Sequence, residues 1–207
     1  MIKLYGALCG EDLASLRSEL PEQWLQAWDA HHKIGKNEKA ARLSLTALCL
    51  LHRAGANGTL AYEACGRPFF ADRLCDFSIT HTQNHAFCAL TDRGNKEVRI
   101  GLDAEDLDRA DLSRADEMAA RWFLPNEQAV FAASPTKETF LRIWTRKEAY
   151  VKCTGEGLRS VREIDTEVIK NAGRMRFFEQ KSGNILITLC APIDENPPKE
   201  IQIIEKE

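Results

Sequence analysis

Residues 137–153 run without glycine or proline and halt at Gly155. Phe140, Ile143, Trp144 and Val151 share one helical face, so the run reads as a long helix with an apolar stripe. Before and after it the period drops from 3.6 to 2. Residues 98–105 alternate as a strand, and 173–192 read as a hairpin about Lys181-Ser182-Gly183-Asn184. The first half mixes the same two periods. Residues 2–8 alternate as a first strand, and 11–31 read as helix interrupted at Pro21. The clearest helix of that half spans 36–54, with Leu43, Leu45, Leu48, Leu50 and Leu51 on it and Gly55 as its stop. Residues 55–76 read as loop with short strands, and 76–91 as two strands about Thr82-Gln83-Asn84. Short helices are expected at 113–122 and 126–133, and a last edge strand at Ile201–Ile204. Strands and helices mix without steady βαβ alternation, so α+β is expected rather than a doubly wound sheet. A soft midpoint falls near residue 95, after the turn Asp92-Arg93-Gly94-Asn95.

With 207 residues the chain can bury a real core in one or two domains. A net charge of −3 and a pI near 6.0 exclude a broad nucleic-acid footprint and argue against a polybasic membrane surface. A local basic pocket for one phosphorylated ligand stays open. No apolar run approaches the ~18 residues of a membrane helix, and Met1 to Gly6 is too short an apolar start for a signal peptide. Cysteines at 9, 49, 65, 75, 88, 153 and 190 are odd in number and lack CxxC spacing. A reduced, cytoplasmic protein is expected.

Four clusters could carry chemistry. Asp103 and Glu105 stand at i and i+2, on one face of a strand. Val98, Ile100 and Leu102 take the opposite, buried face. Two hard oxygen donors so placed suit Mg²⁺ with substrate phosphates; a solvated acidic strand end is the plainer alternative. On the long helix Glu148 lies at the edge of the apolar stripe and Lys152 one turn beyond. They can share a phosphate–metal site or form an ordinary i,i+4 pair. Thr80, His81 and Thr82 follow an apolar strand and could hold an anion. His81 and His85 suit a zinc ion only on a helix, which this segment is not. His31 and His32 read as a solvated helix end. In Gly66-Arg67-Pro68 a stiffened loop carries a cation that could stack on a base or bind a phosphate, or it is a plain turn.

The order of these clusters is specific where each alone is weak. Gly66-Arg67-Pro68, Phe77 to Thr82, Gly101-Leu102-Asp103-Ala104-Glu105, Phe123 to Glu127, and Trp144 to Leu158 follow one another at regular distances. The chain resembles the 4′-phosphopantetheinyl transferase superfamily, of the surfactin-synthetase-activator type, from about residue 2 to residue 190. The family pattern W-x-x-K-E-A-x-x-K-x-x-G-x-G-L is met at every fixed position, from Trp144 to Leu158. G-[IV]-D-x-E is met with Leu102 as the apolar residue.

The resemblance implies two similar α/β halves related by a pseudo-twofold axis, here 1–95 on the nucleotide side of coenzyme A and 96–207 with the metal and catalytic acids. It implies transfer of the phosphopantetheine arm of coenzyme A to a serine of an apo acyl or peptidyl carrier protein, with Mg²⁺, releasing adenosine 3′,5′-bisphosphate. Asp103 and Glu105 resemble the metal carboxylates, and Glu148 a third ligand or the base for the serine. Lys152 resembles the lysine on the pyrophosphate. Thr80 and His81 resemble the pair at the coenzyme A phosphates, and Gly66, Arg67 and Pro68 the loop against the adenine. Arg42 resembles an arginine near the adenine nucleotide. Where the family carries basic residues for the 3′-phosphate, Pro21 to Ala30 has none; Lys33, Lys36 and Lys39 are the nearest substitutes. Thr82 replaces the second serine of S-H-S. A cytoplasmic monomer is expected. A Mg²⁺-dependent phosphohydrolase and a non-catalytic coenzyme A-binding module are the alternatives.

Overall fold

The structure is a computed structural model, which describes residues 2–32, 37–73, 75–92, 98–108, 112–196, 198 and 201–203. Lys33, Lys36, Arg93 to Asn95, and Ile204 lie outside the described residues. The chain divides into two compact units, residues 1–98 with 196–207, and residues 99–195.

In the first unit, strands β1 (Ile2–Leu8), β4 (Cys75–His81), β5 (His85–Asp92) and β9 (Ile201–Ile203) form one sheet in the order β4-β5-β1-β9. β5 runs antiparallel to both neighbours, with Leu4 opposite Ala89 and Ile79 opposite Cys88. β9 adds parallel to β1, Leu4 facing Ile201. The expected edge strand therefore joins the first unit, although it follows the whole of the second.

Helix α3 (Glu38–Arg53) buries Leu43, Leu45, Leu48, Leu50 and Leu51, and much of this face packs with Tyr5, Phe77 and Cys88 of the sheet. The helix begins where Asn37 accepts from the Ala40 amide at 3.1 Å, and ends before Gly55, whose φ of 83° suits glycine. Pro21 separates α1 (Leu13–Glu19) from α2 (Glu22–His31). Trp24 and Trp28 of α2 are buried, and their indole N–H groups donate to the Gly58 carbonyl and the Ser44 hydroxyl. Short β2 (Leu60–Tyr62) and β3 (Pro68–Phe70) form a separate hairpin.

The second unit has a three-stranded antiparallel sheet in the order β6-β8-β7, from β6 (Gly101–Asp106), β7 (Met175–Ser182) and β8 (Ile185–Pro192). Gly183, at φ 57°, turns the β7–β8 hairpin. Helix α6 (Lys137–Thr154) lies on this sheet and stops at Gly155 in the left-handed region. Beyond α6 pack α4 (Ala115–Trp122), α5 (Pro125–Ala133), a 3-10 segment (Leu158–Glu163) and α7 (Thr166–Asn171). The sequence reading has nothing at 158–171. A 3-10 turn followed by six helical residues is too short to show a period.

Both covers of α6 explain its composition. Thr145, Ala149 and Cys153, one turn apart, face the sheet: Thr145 and Thr188 share a hydroxyl hydrogen bond of 2.7 Å, and Cys153 Sγ meets the Arg99 carbonyl at 3.2 Å. The apolar stripe with Phe140 and Ile143 instead meets Ala119, Phe123 and Phe131 of the helical layer. So from Thr145 onward the sheet-facing row is small, while Leu141 one turn earlier belongs to a cluster that also takes in Leu186 of β8.

Candidate active site

Small residues on α6 let the helix approach the sheet closely, and Gly101 permits the closest point. A Cβ there would stand 1.9 Å from the Ala149 carbonyl oxygen and 2.4 Å from the Cys153 nitrogen. Two residues on, along the same face of β6, comes Asp103. The strand expectation holds, but the carboxylate face is not solvated. Asp103 is 3% exposed, because α6 covers that face as Leu102 and Ala104 fill the other.

The helix brings its own charges to this point. Lys152 Nζ lies 2.6 Å from Asp103 Oδ1 and 4.0 Å from Glu148 Oε2. Its tight partner is thus on the strand, and the ordinary i,i+4 helix pair is the longer of the two contacts. Burial pulls the Lys152 pKa down, but Asp103, Glu148 and Glu105 together outweigh it and hold it above the usual lysine value.

Glu148 experiences the opposite balance. Burial and the charges of Asp103 and Glu105 push its carboxyl up to about 7, against the pull of Lys152 and a hydrogen bond from the Trp144 side chain. Trp144 stands on α6 one turn before Glu148. Trp144 in turn meets Trp122 edge-on at 5.9 Å, and the Arg162 guanidinium covers Trp122 at 4.2 Å. Trp144 lies inside the sequence motif, but nothing in its spacing marks its packing against Trp122.

The donor set fits a hard divalent cation. Three carboxylates, Asp103, Glu105 and Glu148, press on one another electrostatically without thiol or imidazole among them, the chemistry Mg²⁺ prefers. Among the described residues no three His, Cys, Asp or Glu side chains already form a metal cluster.

A linkage prediction follows from Glu148. The folded protein keeps its proton up to about pH 7, while the unfolded chain releases it near 4.5. The folded state binds more protons between those values, so stability is present below 4.5 and is lost as pH rises toward 7. In metal-free melts the midpoint of the wild type, taken relative to Glu148→Gln, should fall from pH 4.5 to 7.5. A difference independent of pH would refute the buried carboxyl.

The first unit holds the other expected residues. Arg42 and Lys39 line a cleft of about 350 Å³ at the start of α3, with Cys9, Glu38, Leu43, Gln83 and Asn84. Arg42 Nε donates to the Glu11 carbonyl at 2.8 Å, which fixes its orientation. Gln83 and Asn84 belong to the β4–β5 turn, directly after Thr80, which is buried, and His81, which is exposed. Among the described residues, Lys39 is the lysine that lines this cleft with Arg42.

Gly66, at φ 89°, turns the β2–β3 hairpin, and Pro68 begins β3. Arg67 points inward: it is 9% exposed, with one terminal nitrogen 3.0 and 2.9 Å from the two Asp76 oxygens and 3.2 Å from the Phe77 carbonyl. A buried guanidinium needs such a carboxylate, and Asp76 went unnoticed because nothing in the sequence pairs it with Arg67. His31 and His32 are not merely a solvated helix end. His31 stacks on Tyr62 at 4.1 Å and His32 on Trp28 at 4.6 Å. Burial lowers the His32 pKa.

Residues 99–197 match the family model of the 4′-phosphopantetheinyl transferase superfamily. The 4′-phosphopantetheinyl transferase HetI of a Nostoc species is 37% identical over 111 residues, which cover 50% of this chain and 44% of the relative. A putative 4′-phosphopantetheinyl transferase of Haemophilus influenzae is 27% identical over 157 residues, 70% of this chain and 64% of the relative. The 4′-phosphopantetheinyl transferase gsp of Aneurinibacillus migulanus is 28% identical over 96 residues, 45% of this chain and 36% of the relative. The chain spans less than two thirds of the length of each of these relatives.

Proposed function

We propose, from the match of residues 99–197 to the model of the 4′-phosphopantetheinyl transferase superfamily, that the protein transfers the phosphopantetheine arm of coenzyme A to a serine of an apo carrier protein. The observation that carries the reading is the meeting of Asp103 with Lys152 and Glu148 across the β6–α6 contact, inside the matched segment. On this reading Asp103, Glu105 and Glu148 would hold Mg²⁺, which when bound would neutralise charge on the pyrophosphate. Lys152 adds a positive charge at the same phosphates with little geometric demand. The incoming serine needs a base within hydrogen-bond reach. Glu148 takes that part as the alternative to being a third metal ligand: without a cation its carboxyl is pushed up to about 7 and accepts a proton near neutral pH, whereas ligating Mg²⁺ would make it a poorer base.

The same reading gives unit one the adenosine end of the donor and carries with it the family's two related halves, in a cytoplasmic monomer. The α3 N-terminus with Lys39 and Arg42 suits an anion, and we assign it the 3′-phosphate. Lys39→Ala should weaken coenzyme A about tenfold, 1.4 kcal/mol, and leave 3′-dephospho-coenzyme A unchanged. Calorimetry on both ligands checks this; an equal loss for the two would move the 3′-phosphate elsewhere.

The decisive experiment incubates the protein with coenzyme A, Mg²⁺ and a panel of apo carriers, read by intact mass. A gain of one phosphopantetheine arm on the carrier serine is expected. Breakdown of coenzyme A with every carrier left unmodified would favour a phosphohydrolase, and intact coenzyme A throughout would favour a binding module.

A further inference from the structure

Directly before Glu148 stands Lys147, a lysine with 0% exposure. Its ammonium has three protons to donate. One goes to Glu127 Oε2 at 2.7 Å, one to the Val161 carbonyl at 3.1 Å and one to the Ile164 carbonyl. Glu127, also 0% exposed, is saturated in turn: Oε1 accepts from the Thr166 amide at 2.9 Å and hydroxyl at 2.7 Å, and Oε2 accepts from the Leu124 amide at 2.9 Å. One ion pair therefore ties α6 to the start of α5, the end of the 3-10 segment and the first turn of α7.

Two residues along a helix turn by about 200°, so Lys147 points away from the sheet-facing row that starts at Thr145. On that row the side chains are small, and small side chains restrain rotation about the helix axis weakly. The stripe on the far side is apolar, and apolar contact has no preferred direction. Thr145 with Thr188 and Arg146 with Glu179 and Glu167 give α6 directional contacts elsewhere, and Lys147 with Glu127 adds the one that is fully buried on the helical-layer side. A buried pair of this kind is weak evidence for stability, since a well-packed apolar replacement is often as stable; its best-attested use is to specify one arrangement among several.

We propose that the Lys147–Glu127 pair is a positioning device that fixes the rotation of α6, and with it the direction in which Glu148 and Lys152 meet Asp103. Turning a helix by ~20° swings a group at its rim by on the order of 2 Å. A misplacement of about 1 Å at a reacting centre can cost on the order of 10²-fold in rate. The functional consequence rests on the reading of Glu148 given above; the positional consequence does not. Trp144 reports position directly, because it stands on α6 one turn before Glu148 and meets Trp122 of the helical layer edge-on at 5.9 Å.

The test uses the full chain with Lys147→Met alone, the double variant Lys147→Met/Glu127→Gln, and Thr166→Val. The single change strands a buried carboxylate and should unfold readily. The double variant removes both charges and should melt close to the wild type. In its ¹⁵N spectrum the Trp144 indole resonance should move. Calorimetry without coenzyme A or carrier should show Mg²⁺ binding weakened at least tenfold. Turnover should fall at least tenfold with the KM for coenzyme A little changed. Thr166→Val keeps the ion pair and deletes one hydrogen bond to Glu127, so it folds in any case and should move the same resonance less, in the same direction. A wild-type indole resonance in every folded variant overturns the proposal. A wild-type protein that transfers no arm overturns the functional reading alone, because the indole resonance is read without carrier.

Discussion

Replacing Asp103 by alanine is expected to slow phosphopantetheine transfer on the order of 10²–10³-fold, the usual result of deleting one charge-stabilising contact at a transition state. The carboxylate is 3% exposed and holds Lys152 at 2.6 Å. Its removal releases the lysine from its place on the strand side and, on the function proposed above, deletes a metal donor. Glu148 also loses the negative neighbour that helps push its carboxyl up to about 7, so its proton affinity should drop toward that of an ordinary glutamate. The fold should survive, since Leu102 and Ala104 still pack on the other face of β6. Near-ultraviolet circular dichroism reports the fold, and carrier modification by intact mass reports the rate. A folded variant that keeps more than about a tenth of wild-type turnover at saturating Mg²⁺ would remove Asp103 from the site.

Gly101→Ala should damage both stability and transfer. The new methyl group would meet the Ala149 oxygen at 1.9 Å and the Cys153 nitrogen at 2.4 Å, and both are backbone atoms. No side-chain rotation relieves that, so α6 must lift from β6. Overpacking of this kind costs about 1–3 kcal/mol, and each kcal/mol lowers the melting midpoint by roughly 2–4 °C in a chain of this length. The displaced helix carries Glu148 and Lys152 with it, and a shift of about 1 Å costs on the order of 10²-fold in rate. Gly10→Ala is the matched control for stability, because its methyl group would meet nothing within 4 Å. A Gly101→Ala protein that melts with the wild type would show that the close approach is not required.

What could be read from the sequence follows from the length of the signal. The helices at 38–53 and 137–154 and the hairpins at 75–92 and 175–192 are long enough to display a period, and they lie where the period puts them. The segment 158–171 is not legible, because a 3-10 turn and a six-residue helix leave no periodic trace. Asp103, Glu148 and Lys152 were singled out individually, and the fold brings them together. Their partners were harder to see. Lysine, arginine and the acids default to the surface, so nothing local distinguishes Lys147 and Glu127, with 0% exposure, from any solvated pair. Arg67 pairs with Asp76 in the same way, and nothing local in the sequence joins the two. The Gly101 position reads as one member of a motif; only the helix backbone packed against it explains why no side chain is tolerated there.

The edge strand β9 reverses the order in which the first unit is made and the order in which it is closed. Its partner β1 leaves the ribosome well before Ile201, which follows only after the whole of 99–195. The second unit is one contiguous stretch and can complete itself while the first still presents the outer rim of β1, Leu4 to Gly6, without its neighbour. Unpaired rims of this sort invite pairing with other nascent chains. At ordinary elongation speeds the hundred-odd residues between Asp92 and Ile201 keep that rim open for roughly 5–20 s. During synthesis, then, the hazard for this protein lies in β1 and is ended only when β9 arrives.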